Sequence, residues 1–178
     1  ACGDAPMALR AWADAAKQWR AAGHGVRAAE SLLARASALC LRGRGAQALA
    51  ALDEVPDGPR KALVALQIRA LRAGSPSIEP ALADGLRGPW RARLHLTEAR
   101  LHARTEAFPA ARSRHARARR ALESYPQVLR TEVAYVGAYV DAREGQLAHA
   151  SRAAHAALAD GRAPRLRAWG LALAALDP

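Results

Sequence analysis

Glycine and proline interrupt this chain about every 12–20 residues, and the segments between them carry apolar residues at helical spacing. A short amphipathic helix cannot bury its apolar stripe alone, so a chain cut in this way has to fold its helices back on one another. The clearest instance is residues 127–160, where runs at 127–143 and 147–160 meet at Arg143-Glu144-Gly145-Gln146. Gly145 can take the left-handed conformation that ends a helix at little steric cost. Leu147, Ala150, Ala154, Ala157 and Leu158 then form one stripe, and the small Ala150 and Ala157 let two antiparallel helices approach closely.

Composition decides in favour of helix. Hydrophobic residues make up 51% of the chain but aromatics only 4%, and the apolar content is mostly Ala and Leu, strong helix formers. The β-branched residues that favour strands are scarce. An all-α fold of about ten helices is expected, at 4–22, 26–42, 46–55, 60–73, 78–86, 90–106, 109–123, 127–143, 147–160 and 165–176. Asp4 is a candidate N-cap with Pro6 in the first turn, and Met7, Trp12, Ala16 and Trp19 give the first helix its apolar face. Apolar residues cover most of the fourth helix, from Leu63 to Leu71, so it is expected among the most buried.

At 178 residues the chain suits one domain or one short repeat array. Its net charge of +11 comes almost wholly from arginine, since Lys17 and Lys61 are the only lysines. That bias also follows from a GC-rich genome, so charge alone does not select a nucleic acid or an anionic membrane as partner. Cys2 and Cys40 are too few for a disulfide framework or a four-ligand zinc site, and Cys40 reads as a buried, inert thiol. Cys2-Gly3-Asp4 fits two readings: the lipidated cysteine of a processed bacterial lipoprotein, or the start of a domain cut from a longer cytoplasmic protein, which is the expectation adopted. No uncharged run is long enough to span a membrane.

The spacing around the turns resembles the tetratricopeptide repeat family, whose unit is a helix–turn–helix of about 34 residues. The family pattern has a glycine at the turn, an aromatic or large residue two positions on, and small residues five and twelve positions after the glycine. These places fall on Gly145, Leu147, Ala150 and Ala157, and again on Gly43, Gly45, Ala48 and Val55. In the sixth and seventh helices Phe108, Ala111 and Ala118 match, with Glu106 in place of the turn glycine. The 60–86 pair fits worst, because Pro76 and Glu79 stand where the aromatic and first small residue belong. The resemblance implies a right-handed α-solenoid over 1–178, with four degenerate helix pairs at 26–160 between capping helices at 4–25 and 161–178.

No Gly-rich phosphate loop, G-x-S-x-G or H-E-x-x-H motif is present, so neither a catalytic site nor a cofactor is assigned. Of the six histidines, His95 and His102 share a helix face, and His115 lies on the stripe of Ala111, Ala118 and Leu122. No carboxylate or cysteine is expected one turn away from any of these three, and metal binding is set aside; His115 reads as a core residue satisfied by a neighbour.

The strongest charge signal is Arg87–Arg120, where ten arginines against Glu98 and Glu106 give 10 − 2 = +8 of the chain's +11. Arg114, Arg117 and Arg120 point away from the apolar stripe of the seventh helix, as a solvated outer face would. Arg93, Arg100 and Arg104 share one face of the sixth. In tetratricopeptide-like arrays the first helix of each pair lines the concave groove where partner peptides dock. The resemblance therefore implies a partner-binding face made of Arg93, Arg100, Arg104, Glu132, Tyr135, Tyr139 and Arg143. Arginine beside tyrosine suits an acidic or C-terminal carboxylate segment, whereas the two tyrosines would equally pack against a neighbouring repeat. The function expected is a non-catalytic protein-interaction scaffold, a segment of a larger bacterial regulatory protein. The alternative is a nucleic-acid-binding module using the arginine surface of 87–120, which offers only Trp90 and Phe108 for base stacking.

Overall fold

The computed structural model describes residues 4–41, 43–72 and 80–159. These contain nine helices and no strand: α1 (Asp4–Ala21), α2 (Gly25–Leu41), α3 (Gly45–Asp53), α4 (Pro59–Arg72), α5 (Pro80–Gly85), α6 (Gly88–Arg104), α7 (Phe108–Arg120), α8 (Pro126–Arg143) and α9 (Leu147–Ala159). Each lies within about three residues of its expected bounds, since glycine and proline leave little freedom over where a helix stops. The last expected helix at 165–176, Cys2, Pro76 and Glu79 fall outside the described residues. Asp4, expected as an N-cap, is already the first residue of α1.

The chain forms two compact units, Ala1–Pro76 and Ser77–Pro178. In the first, α1 packs on α2, α2 on α3, and α4 against both α2 and α3. In the second, α6 pairs with α7 and α8 with α9, while α6 and α7 both lie against α8. α4 belongs to the first unit and α5 to the second.

Four turns share one geometry. Gly23, Gly43, Glu106 and Gly145 have φ of +77°, +74°, +59° and +86°. The amide that follows each donates to the carbonyl five residues back: His24 to Trp19 at 2.8 Å, Arg44 to Leu39 at 3.0 Å, Ala107 to His102 at 2.9 Å and Gln146 to Asp141 at 2.8 Å. This bond satisfies a carbonyl that the helix end leaves without a partner. Five residues past the turn, the amides of Ala28, Ala48, Ala111 and Ala150 close the first turn of the next helix onto His24, Arg44, Ala107 and Gln146. All four alanines are buried, at 3% exposure or less, where a larger side chain would push the paired helices apart. The turn at Gly23 makes the α1–α2 corner a further copy of this device, one that the expectation of a lone capping helix did not include. None of α3, α6, α7 and α8 has a side-chain cap at its start; α6, α7 and α8 instead carry proline in the first two positions.

The core of the first unit is built from Leu32, Leu33, Ala36 and Leu39 of α2, Ala48 and Leu52 of α3, and Leu63, Val64, Leu66 and Ile68 of α4. Cys40 is buried there and forms no disulfide among the described residues. Met7, expected on the apolar face of α1, is instead exposed, whereas Ala16 is buried. Trp19 packs edge-on to His24 at 5.5 Å, with the Arg27 guanidinium 4.7 Å from its ring centre. The second core joins Ala92, Leu96, Ala99 and Ala103 of α6 to Ala111 and Ala118 of α7, and to Leu129, Val133, Tyr135, Val136 and Val140 of α8.

Candidate functional site

α7 runs back along α6 and α8 turns back again, so α6 and α8 are parallel and lie side by side. Their contacts follow a constant offset. Arg93 meets Glu132, the Arg143 guanidinium reaches the Arg104 carbonyl at 3.5 Å, and both pairs are 39 residues apart. Arg100 lies over the Tyr139 ring at 6.0 Å, again 139 − 100 = 39 residues away. The seven residues expected on one binding face thus form three rows across the α6–α8 junction, with Tyr135 between the first two.

The rows differ in character. Arg93 grips Glu132 through Nε, at 3.1 Å to both carboxylate oxygens, and through Nη2 at 2.8 Å, with side chains 26% and 34% exposed. Its guanidinium also lies 5.2 Å from the Trp90 ring centre. This fork-to-carboxylate pair is committed to joining the two helices. Tyr135 is 6% exposed and its ring belongs to the core cluster, so the packing reading describes it better than the binding one. Burial pushes its phenol above the ordinary range, with the nearby Arg100 charge opposing that shift. Tyr139 is partly buried at the edge of the same cluster. Arg104 and Arg143 occupy the last turns of α6 and α8, where a cation complements the negative end of the helix dipole.

Behind these rows are buried acids that the sequence reading did not single out. Glu98 of α6, 7% exposed, accepts from His95 Nδ1 at 2.8 Å and faces Arg114 of α7 at 3.3 Å. Two expectations are corrected here. His95 does have a carboxylate one turn away, and Arg114 turns inward to an acid on α6, whereas Arg117 and Arg120 are exposed. Asp141 of α8, 4% exposed, lies 2.9 Å from Arg112 of α7 and 2.7 Å from His149 Nδ1 of α9. Arg112 also donates through Nε to Glu144 at 3.0 Å. Hydrogen bonding to Glu144, then to Asp141, holds the Arg112 guanidinium still further above its ordinary range against the effect of burial. A buried carboxylate without such partners would carry a large desolvation cost, so these acids tie α6 to α7 and α8 to both α7 and α9.

His115 of α7 is the core histidine expected. Its Nε2 lies 2.8 Å from the Val133 carbonyl, which can only accept, so that nitrogen carries the proton. Gly137 makes the approach possible: a Cβ there would stand 3.0 Å from two ring atoms of His115. That accounts for a glycine inside α8, where it otherwise weakens a helix.

Among the described residues no three His, Cys, Asp or Glu side chains come together to hold a metal ion, and no helix is long and apolar enough to cross a membrane. At the α6–α8 junction guanidinium groups stand beside aromatic rings, Arg93 beside Trp90 and Arg100 beside Tyr139. No protein-family model, curated protein or solved structure matches the chain.

Proposed function

We propose that the chain is a tetratricopeptide-like scaffold that binds an acidic peptide or C-terminal segment across α6 and α8. The supporting observation is the constant 39-residue offset, which lines up Arg100 with Tyr139 and Arg104 with Arg143 on neighbouring parallel helices. Parallel first helices lying side by side, each backed by its antiparallel partner, are what such an array requires. The repeated left-handed turn with its buried alanine supports the same reading. Arg100, Arg104 and Arg143 would engage carboxylates, Tyr139 would supply a flat edge for packing, and Arg93 with Glu132 would hold the helices in register.

The test is fluorescence anisotropy of the full chain with labelled acidic peptides ending in a free carboxylate. R100A/R104A/R143A should lose binding, R93A should weaken it less, and R117E/R119E/R120E should leave it intact. The alternative, a nucleic-acid module on the arginine surface of 87–120, draws on the exposure of Arg117, Arg119 and Arg120 on α7. It predicts the reverse: the outer charge reversal would weaken DNA or RNA binding and flatten its salt dependence. If neither set of changes affects any partner, both assignments fail.

A further inference from the structure

The first unit holds an open cleft of about 390 Å³ lined by α1, α2, Arg44 and the start of α3. Leu9, Ala13 and Leu39 form its apolar wall, and Arg10, Arg35 and Arg44 supply three guanidinium groups. Among the described residues lining it, Asp14 is the only carboxylate, so the formal charge of the lining is 3 − 1 = +2.

Arg35 is the anomalous member. It stands twelve positions after the left-handed Gly23. The same place after Gly43 and Glu106 holds buried Val55 and Ala118, and after Gly145 it holds Ala157. A small side chain closes the helix packing there, whereas Arg35 puts a charged fork at that position in α2. Its Nε is buried, and no group among the described residues accepts a hydrogen bond from it. A guanidinium only donates, so it cannot relieve this by accepting. Arg35 is half-buried and lines a cleft whose net charge is positive, where a group that only donates is complemented by an acceptor carrying negative charge.

We propose that this cleft binds a small amphiphilic anion, a carboxylate or phosphate carried on an apolar body, with Arg35 and the flanking Arg10 and Arg44 on the anionic group and Leu9, Ala13 and Leu39 against the body. The volume lies within the range of about 300–1,000 Å³ usual for small-molecule sites. The planar fork of arginine matches both carboxylate and phosphate. The site lies wholly in the first unit and does not depend on the peptide reading of α6 and α8.

The experiment is isothermal titration calorimetry of the full chain with phenyl phosphate, benzoate, inorganic phosphate and benzyl alcohol. Phenyl phosphate or benzoate should bind one per chain, and the tighter of the two identifies the anionic group. R35M, which keeps the apolar stem and removes the fork, should weaken that binding at least tenfold. R10Q/R44Q changes two exposed side chains and should weaken it as well; this variant carries the test if R35M does not fold. The proposal is overturned if neither aromatic anion saturates, or if the folded variants bind as the parent does. It is also overturned if benzyl alcohol binds as tightly as the anions, or if inorganic phosphate alone matches phenyl phosphate.

Discussion

Glu106 is the one described non-glycine residue held at positive φ, +59°, in a turn whose counterparts are glycines. A side chain in the left-handed region costs about 1–2 kcal/mol, from the contact between Cβ and the following carbonyl. Replacing it with glycine removes that cost but gives the unfolded chain more freedom, which takes back about 0.4–1 kcal/mol. E106G should therefore stabilise the second unit by about 0.5–1 kcal/mol, or about 1–4 °C in Tm for a chain of this size. The Glu106 side chain is exposed, and among the described residues no side-chain bond to it has to be subtracted. E106A is the control, because it removes the same charge and keeps Cβ at the same φ. Urea unfolding followed by far-UV circular dichroism should rank E106G above E106A and the parent. The mirror change G145A, at φ +86° with open space around the new Cβ, should cost about 1 kcal/mol from the backbone alone. If E106G is no more stable than E106A, strain at this turn is not what separates it from its glycine counterparts.

G137A should destabilise by about 1–2 kcal/mol although alanine is the better helix former, because the methyl group displaces His115 from the Val133 carbonyl. Combined with H115A, most of that penalty should disappear in a double-mutant cycle. D141N should cost about 1–2 kcal/mol, less than a fully buried pair, because Arg112 is 45% exposed and can turn to Glu144 and water. Tyr135 is protonated in its buried site and its folded pKa is raised, so the stability it contributes is complete below the ordinary tyrosine value of 10.0 and is lost as pH rises through the folded value. In an alkaline ultraviolet titration, one of the three tyrosines should therefore ionise late, and Y135F should abolish that late step.

Much of the helical layout was legible because each break rests on a local cause. Gly43 and Gly145 turn the chain with no help from distant residues, and proline at the starts of α6, α7 and α8 sets where those helices begin. Glu106 was recognisable only by its position, since nothing about glutamate itself favours the left-handed region. The site was less legible because helical spacing identifies a face without saying what the face meets. Arg93, Arg100 and Arg104 do share one side of α6, but their sequence cannot tell a committed ion pair from a contact at the edge of the core. Nothing in the sequence singles out Glu98 and Asp141, because a lone carboxylate in a helix is usually a surface acid. Their burial follows from Arg114 and Arg112 on α7, which arrive only when the helices pack.

By itself, then, the sequence determined helix rather than strand, the positions of the turns, and the alanines on which paired helices close. Each of these depends on backbone conformations and propensities felt within a few residues. Only the tertiary structure decided that α6 and α8 run side by side at a 39-residue offset, which of the many arginines meet acids, and that Arg35 lies in a cleft rather than in solvent. Those outcomes depend on distances between residues far apart in the chain, and charge acquires its meaning only once such distances exist.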